Sequence, residues 1–509
     1  MKHYFSKGDK ESKQNLFTVQ NMLETIRSQF LHPIFYKLLI NTKTRNQTLN
    51  YIDQALLRNF ARTKYVVNGR QVACDGFMTN LTNVLQLLAA GIHTEKIDLL
   101  YPFDPMNVLG IVREESRIKM QIADAEDFRQ SLVEKKSFNS NSSFNTRCFF
   151  QTLYGHHISV LPLQRKYLRK LRFLRELTRL RDQYELHNQR SRVERVEKQI
   201  EYCERAKLAF DCAFFDTTFL RRAIQFYNMF CGVLFRIFDF DSHSDVTLPL
   251  PADIPPLWAA LPDWFIEDIA DFIIFIQQYS PRVLEKICCG SLDGEFLYNI
   301  VIFVVLMICS PNYISNPYLT AKFVEIIFQA TPSLSSSLSY FHMKLVENEL
   351  AERFLIPALM KFYVDIESTG ASSEFYDKFT IRYHISIIFK SFMTSSAQKQ
   401  AILNETKNGK VFIRFINMLI NDTTFLLDES MVSLKRIHEV QAAMKNAEEW
   451  ANTDQREIRE RQLAHDERQV RSYLILAMEN IDMLHSLTDS APRAFFCPVS
   501  FSESFLMLF

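Results

Sequence analysis

Glycine is nearly missing from this chain, at 11 in 509 residues, against roughly 7% in average proteins. Phosphate-cradling loops, tight hairpins and multi-stranded β architectures depend on the positive φ angles that glycine supplies, so each is disfavoured. A charge excess is missing too: 59 basic against 58 acidic residues leave a net charge of +1. That balance provides no global steering towards nucleic acid or an anionic membrane. No apolar run reaches the ~20 residues needed to cross a bilayer. The most apolar stretch, FLYNIVIFVVLMIC from Phe296 to Cys309, is stopped by Pro311 and reads as a buried core helix. The nine cysteines are Cys74, Cys148, Cys203, Cys212, Cys231, Cys288, Cys289, Cys309 and Cys497. Their odd number, their place in apolar runs and the lack of a preceding secretory signal predict reduced thiols in the cytoplasm or nucleus. G-x-x-x-x-G-K-[ST], H-E-x-x-H and G-x-S-x-G are all absent from the sequence.

What is present is helical periodicity. Hydrophobic residues make up 47% and charged residues 23%, as in a globular protein with a sizeable core. The 44 phenylalanines suit wide helix–helix seams. Apolar stripes recur: Leu16, Val19, Leu23, Ile26, Phe30; Phe77, Leu81, Val84, Leu85, Leu88; Leu220, Ile224, Tyr227, Cys231, Leu234. Others are Phe265, Ile269, Phe272, Ile276; Leu319, Phe323, Ile326; and Ile381, Ile385, Ile388, Phe392. Leu427, Met431, Leu434, Ile437 and Val470, Leu474, Ala477, Ile481, Leu484 complete the series. The fold class predicted is all-α, an elongated irregular helical solenoid of armadillo-like type, without a fixed-length repeat.

Three places interrupt the stack. Residues 101–145 hold Pro102, Pro105 and the tract SFNSNSSFN, so a loop-rich insertion with one helix near Asp124 to Glu134 is expected. Residues 246–262 carry Pro249, Pro251, Pro255, Pro256 and Pro262, a bend that Leu257 and Trp258 can anchor. Residues 331–339, TPSLSSSLS, form a third polar connection. The expected division is an N-terminal half at 1–245, the bend, a C-terminal half at 263–490 and a divergent tail at 491–509.

Few residues suggest chemistry. His156 and His157 with Cys148 upstream could be imagined as zinc ligands, but no second Cys or His pair lies at finger spacing, and a loop or helix-cap pair is expected. Cys288-Cys289 could form a thioester, yet VLEKICCGSL reads as a packed helix ending at Gly290. Asp365 and Glu367, two residues apart at a helix end, point to different faces. No catalytic, cofactor-binding or metal-binding residue is therefore assigned. Two stretches are strongly charged. From Arg165 to Arg181 eight basic residues accompany one acid, Glu176, between Leu168, Leu171, Leu174, Leu177 and Leu180. This is either a docking face for an acidic partner or nucleic acid, or a solvated helix balanced by ERVEKQIEYCERAK. Lys445 to Arg471 alternates acids and bases and reads as a salt-bridged exposed helix.

Several segments together resemble one known family. They are CDGFMTNLTNVLQLL from Cys74, GHHISVLPLQRKYLRKLRFLRELTR from Gly155 and LPLPADIPPLWAALPDWFIEDIADFIIFIQQYSP from Leu248. NYISNPYLTAKFVEIIF from Asn312, DIESTGASSEFYDKFTIRYHISIIFKS from Asp365 and FIRFINMLINDTTFLLDESMVSLKRIHEVQ from Phe412 continue the series. Over roughly Leu16 to Thr488 the chain resembles the ubiquitin elongating factor core of the U-box ubiquitin conjugation factors. The resemblance implies ubiquitin–ubiquitin ligase activity for the family in proteasomal and endoplasmic-reticulum-associated degradation. It implies as partners ubiquitin or ubiquitinated substrates, ubiquitin-like shuttle proteins and an AAA-type ATPase, with neither nucleic acid nor membrane. In the family a C-terminal U-box recruits the charged conjugating enzyme. Here APRAFFCPVSFSESFLMLF shows no U-box pattern, so a core trimmed at both ends is expected, supplying scaffold rather than transfer. The competing reading is a non-enzymatic scaffold or dominant-negative form that binds the same partners.

Overall fold

The computed structural model describes residues 9–64, 67–110, 115–138, 143–240, 247–289, 296–332, 339–369, 375–445, 450 and 453–495. Expectations placed on 139–142, Gly290, 333–338, 446–449, 451–452 and 496–509 lie outside the described residues. The fold is all-α. Among the described residues no strand forms, and the one β pairing is an isolated bridge between Arg117 and Pro262. The chain divides into two compact units, the first of residues 1–246 and 251–303, the second of 247–250 and 304–509. The proline-rich segment is thus shared, 247–250 counting with the second unit and the remainder with the first.

The first unit contains α1 (Asp9–Thr25), α2 (His32–Ile40), α3 (Thr42–Arg58), α4 (Asp75–Ala89), α5 (Ile122–Glu134) and α6 (Phe144–Gly155). It continues with α7 (Leu161–Leu186), α8 (Arg190–Phe214), α9 (Thr217–Phe235), α10 (Pro256–Ala259), α11 (Trp264–Tyr279) and α12 (Pro281–Cys289). Side-chain caps start two of these helices. Asn41 Oδ1 accepts from Lys43 N before α3, and Asp216 Oδ1 from Thr218 N before α9. The stripes of α9 (Leu220, Ile224, Tyr227, Cys231, Leu234) and α11 (Phe265, Ile269, Phe272, Ile276) are wholly buried. Phenylalanine fills the seams as its abundance suggested. Phe149 packs between Phe226 and Phe230 at centroid distances of 5.3 and 5.9 Å, and Tyr227 meets Phe272 at 4.9 Å. The apolar run ends in α13 (Tyr298–Cys309), whose residues count with both units and are buried from Ile300 to Cys309. Among the described residues no helix is long and apolar enough to cross a membrane.

Among the described residues three short π turns interrupt the helices, at Ile26–Leu31, His156–Val160 and Ala351–Leu355. Each directly precedes an X-Pro pair: His32-Pro33, Leu161-Pro162 and Ile356-Pro357. Proline inside a helix removes one N–H and pushes its ring against the carbonyl four residues earlier. Widening the turn by one residue relieves that clash while keeping the helix continuous. The widening also shifts the phase of the apolar face. The stripe read from Leu16 to Phe30 therefore breaks: Val19 is buried, but Ile26 and Phe30 are 45% and 60% exposed.

The second unit contains α14 (Pro317–Gln329), α15 (Tyr340–Val346), α16 (Ile356–Asp365), α17 (Phe375–Phe392), α18 (Ser396–Asn408), α19 (Lys410–Lys445) and α20 (Thr453–Ser490). In α17 the stripe Ile381, Ile385, Ile388, Phe392 is buried as read. In α19 the reading needs correction. Leu427, Met431 and Leu434 are exposed, and the face turned to α20 carries Leu426, Ser430 and Ser433, with Tyr473 and Ala477 opposite. The two stripes differ by one residue, about 100° around the axis, and the small hydroxyl-bearing residues took the seam. In α20 Leu474 and Ile481 are likewise exposed while Tyr473, Ala477, Asn480 and Met483 are buried.

An ion-pair network pins α16, α17 and α19 together. Arg382 Nη1 donates to Asp422 Oδ1 and Oδ2 at 2.7 and 2.9 Å, and Arg382 Nε donates to Tyr363 O at 3.1 Å. Tyr363 Oη donates to Asp422 Oδ2 at 2.9 Å, and Arg382 Nη2 reaches Glu367 Oε2 at 2.8 Å. Removing one partner of a buried pair strands the other charge, which typically costs about 3–5 kcal/mol. Asp422→Ala is expected to destabilise the second unit by about that amount in chemical denaturation. Glu367→Gln, whose carboxylate is half-exposed, should cost no more than about 1 kcal/mol. Equal losses in the two variants would show that the network does not carry this load.

Candidate functional site

His156 and His157 lie within the π turn between α6 and α7, inside the first unit and not in a loop or at a free helix cap. His156 is fully buried, its Nε2 3.0 Å from Gln86 Nε2 and its ring against Phe226 and Tyr227. Burial alone lowers its pKa to about 3, so it is a neutral core histidine. His157 Nδ1 sits 2.8 Å from Asp268 Oδ2 and stacks on Trp264 at 4.0 Å. Cys148 is buried in α6, its thiol pushed up to about 12 by desolvation. Among the described residues no three His, Cys, Asp or Glu side chains converge as metal ligands.

Cys288 is buried at the end of α12, and desolvation raises its thiol to about 12. A nucleophilic cysteine needs a stabilised thiolate, and this environment favours the thiol. Cys289 beside it is exposed. Glu367 joins Lys378 and Arg382: burial pushes its pKa up, but the two cations outweigh that and hold it below the usual range. Asp365 ends α16 and is exposed. Of the second charged stretch, the described part of α20 pairs Arg456 with Glu460, and its Asp466 is buried against Arg436.

The basic stretch has the more defined setting. Pro162, in the first turn of α7, displaces the carbonyl of Ile158, and Arg62 Nε donates to that oxygen at 3.1 Å. The same guanidinium donates to Ala73 O and to Asp75 Oδ1 at the start of α4. Lys166 Nζ donates to both oxygens of Asp75, at 2.7 and 2.9 Å. Burial raises the pKa of Asp75, but Lys166 and Arg62 outweigh it and the net shift is downward. Over this floor opens a groove of about 670 Å³ lined by Arg62, Lys64, Arg165, Lys166, Arg169 and Arg172, with Val67, Pro162 and Leu168 as its apolar wall. Leu174, Leu177 and Leu180 of α7 pack on Val196, Ile200 and Cys203 of α8, a different face from that of the arginines. Sequence reading found the arginines but missed Arg62, Asp75 and Asp268. Its one clue was charged residues interrupting otherwise apolar or turn-forming segments.

A family described as the ubiquitin elongating factor core matches residues 1–507. The chain is 30% identical to the "Ubiquitin conjugation factor E4 ufd-2" of Caenorhabditis elegans, over 97% of its length and 49% of the relative's. It is 28% identical to the "Ubiquitin conjugation factor E4" of Schizosaccharomyces pombe, covering 97% of this chain and 50% of the other. It is 25% identical to the "E4 ubiquitin-protein ligase UFD2" of Saccharomyces cerevisiae, covering 96% and 54%. The chain thus spans about half the length of the curated relatives it matches.

The neutral burial of His156 has a consequence for pH. Its folded pKa lies well below the ordinary 6.5, so below pH 6.5 the unfolded chain takes up a proton that the folded chain refuses. Stability is unaffected above that pH and falls by about 1.4 kcal/mol per unit below it, down to the folded pKa. Unfolding measured at pH 7 and pH 5 should therefore differ by about 2 kcal/mol less in His156→Gln than in the parent chain. An unchanged difference would mean that His156 is protonated in the folded protein.

Proposed function

Because the chain belongs to the ubiquitin elongating factor core family, we propose that it is the scaffold of a ubiquitin chain-elongation factor, an E3/E4-type ubiquitin–ubiquitin ligase serving proteasomal degradation. The observation that carries this reading is the match from residue 1 to residue 507, supported by relatives named as ubiquitin conjugation factors over nearly the whole chain. The chemistry agrees: Cys148 and Cys288 are held as thiols and His156 as neutral imidazole, so the interior is suited to packing. A scaffold raises a transfer rate by holding reactants in a productive geometry, which can replace much of the entropic cost of their encounter.

In this reading the chain holds ubiquitin or ubiquitinated substrate near a charged conjugating enzyme that a separate U-box recruits. The partners proposed with it are ubiquitin-like shuttle proteins and an AAA-type ATPase, and the compartments are the cytoplasm and nucleus. The alternative is a non-enzymatic scaffold or dominant-negative form that engages the same partners without extending chains.

The test is a reconstituted reaction with activating enzyme, conjugating enzyme, ubiquitinated substrate and one of the full-length relatives. Excess of this chain is expected to slow chain growth by the relative and to co-sediment with the ubiquitinated substrate. Chain growth by residues 1–509 alone would overturn the scaffold reading in favour of intrinsic transfer. Neither competition nor binding would overturn the elongation reading as a whole.

A further inference from the structure

The groove between Arg62 and α7 is already built around a carboxylate. Asp75 is held there by Arg62 and Lys166, so the groove floor shows which anion its cations accept. Arg62 is fixed in place, because its three donating groups go to Ile158 O, Ala73 O and Asp75. Arg165 leans on Thr63 O through Nη1 at 2.8 Å and remains exposed. Along α7, Arg165, Arg169, Arg172 and Arg179 follow at intervals of four, three and seven, and so share one face. Lys64, Arg172, Arg175 and Arg179 are exposed and have no acidic partner among the described residues. At about 1.5 Å per residue the basic face runs about 21 Å from Arg165 to Arg179.

We propose that this groove and the arginine face continuing from it dock an acidic, extended peptide segment of a partner protein. An extended chain presents alternate side chains to one side every ~6.6 Å, close to the ~5.4 Å pitch that separates successive arginine turns. Alternate glutamates or aspartates can therefore each meet a guanidinium, a pairing that a planar fork makes directional. A nucleic acid would have the same charge but fits less well. Binding of single strands rests on aromatic platforms for the bases, and the groove wall is Val67, Pro162 and Leu168. The near-zero net charge of the chain adds no long-range attraction for a polyanion. This inference is independent of the elongation reading, since binding is measured without ubiquitin.

The test uses the full chain and a fluorescein-labelled octapeptide of alternating glutamate and serine, read by fluorescence anisotropy at low salt. Binding should weaken as salt rises and vanish when glutamine replaces glutamate in the peptide. The double variant Arg165→Glu, Arg172→Glu should weaken binding by at least about tenfold. Arg205→Glu on α8, outside the groove, should change it by less than about twofold. Should the double variant unfold at a lower temperature than the parent, Arg172→Gln alone supplies the reading, with a loss of at least about threefold expected. No binding of the peptide, or equal losses from Arg205→Glu and the groove variants, overturns the proposal. Tighter binding of a single-stranded RNA, abolished by the same groove variants, overturns it in favour of a nucleic acid.

Discussion

A proline one turn inside a helix must displace a carbonyl, and in this protein the displaced oxygen of Ile158 is claimed by Arg62. Much of the surrounding structure follows from that one exchange. Accepting Pro162 requires the π turn at His156–Val160, and the π turn places two consecutive histidines in the interior. His157 then finds Asp268 and the face of Trp264, while His156 is left with Gln86 and aromatic rings. Arg62 is drawn in to satisfy the oxygen, and Asp75 balances it at the start of α4. Lys166 joins Asp75 from the next turn of α7. The convergence of cations at the groove thus begins as a backbone problem, solved by a side chain.

The second unit meets a related demand differently. Arg382 enters an apolar face of α17, and every donor that it turns inward has a named acceptor on Tyr363, Asp422 or Glu367. Such a network adds little net stability against a well-packed apolar alternative. What it does impose is register: Arg382 can reach Asp422 and the Tyr363 carbonyl together only when α16, α17 and α19 hold one alignment. The serine-lined seam between α19 and α20 calls for the same kind of control, because Ser430 and Ser433 offer little shape by which one register excludes another. Arg436 reaching the buried Asp466 supplies it there.

The helical class and most buried faces were legible from sequence because a stripe such as Leu220 to Leu234 has one period and one apolar side. The stripe readings failed where two faces competed or where the period itself changed. In α19 both the Leu427–Met431–Leu434 face and the Leu426–Ser430–Ser433 face are compatible with a helix, and only the neighbouring helix decides between them. At Ile26 and Phe30 the π turn altered the phase, and its cause, Pro33, lies beyond the residues whose spacing was read. The groove was half legible. Its arginines stand on one helix, but Arg62 and Asp75 belong to other elements, and no local pattern joins residues 91 or more positions apart.

Scarcity of glycine gives these observations a common direction. A scaffold that works by positioning must transmit little slack between the groups it holds, since small displacements of a reacting atom are expensive. Eleven glycines in 509 residues leave few places where the backbone is free to bend at low cost, and Pro33, Pro162 and Pro357 are absorbed by π turns that keep their helices continuous. Buried ion pairs then fix the registers that apolar packing would leave open. On this view the inert thiols and the neutral histidine are consequences of the same economy of motion. The buried carboxylates Asp422 and Asp466, paired with Arg382 and Arg436, are given to holding helices in place, whereas the arginines of α7 stand on an exposed face.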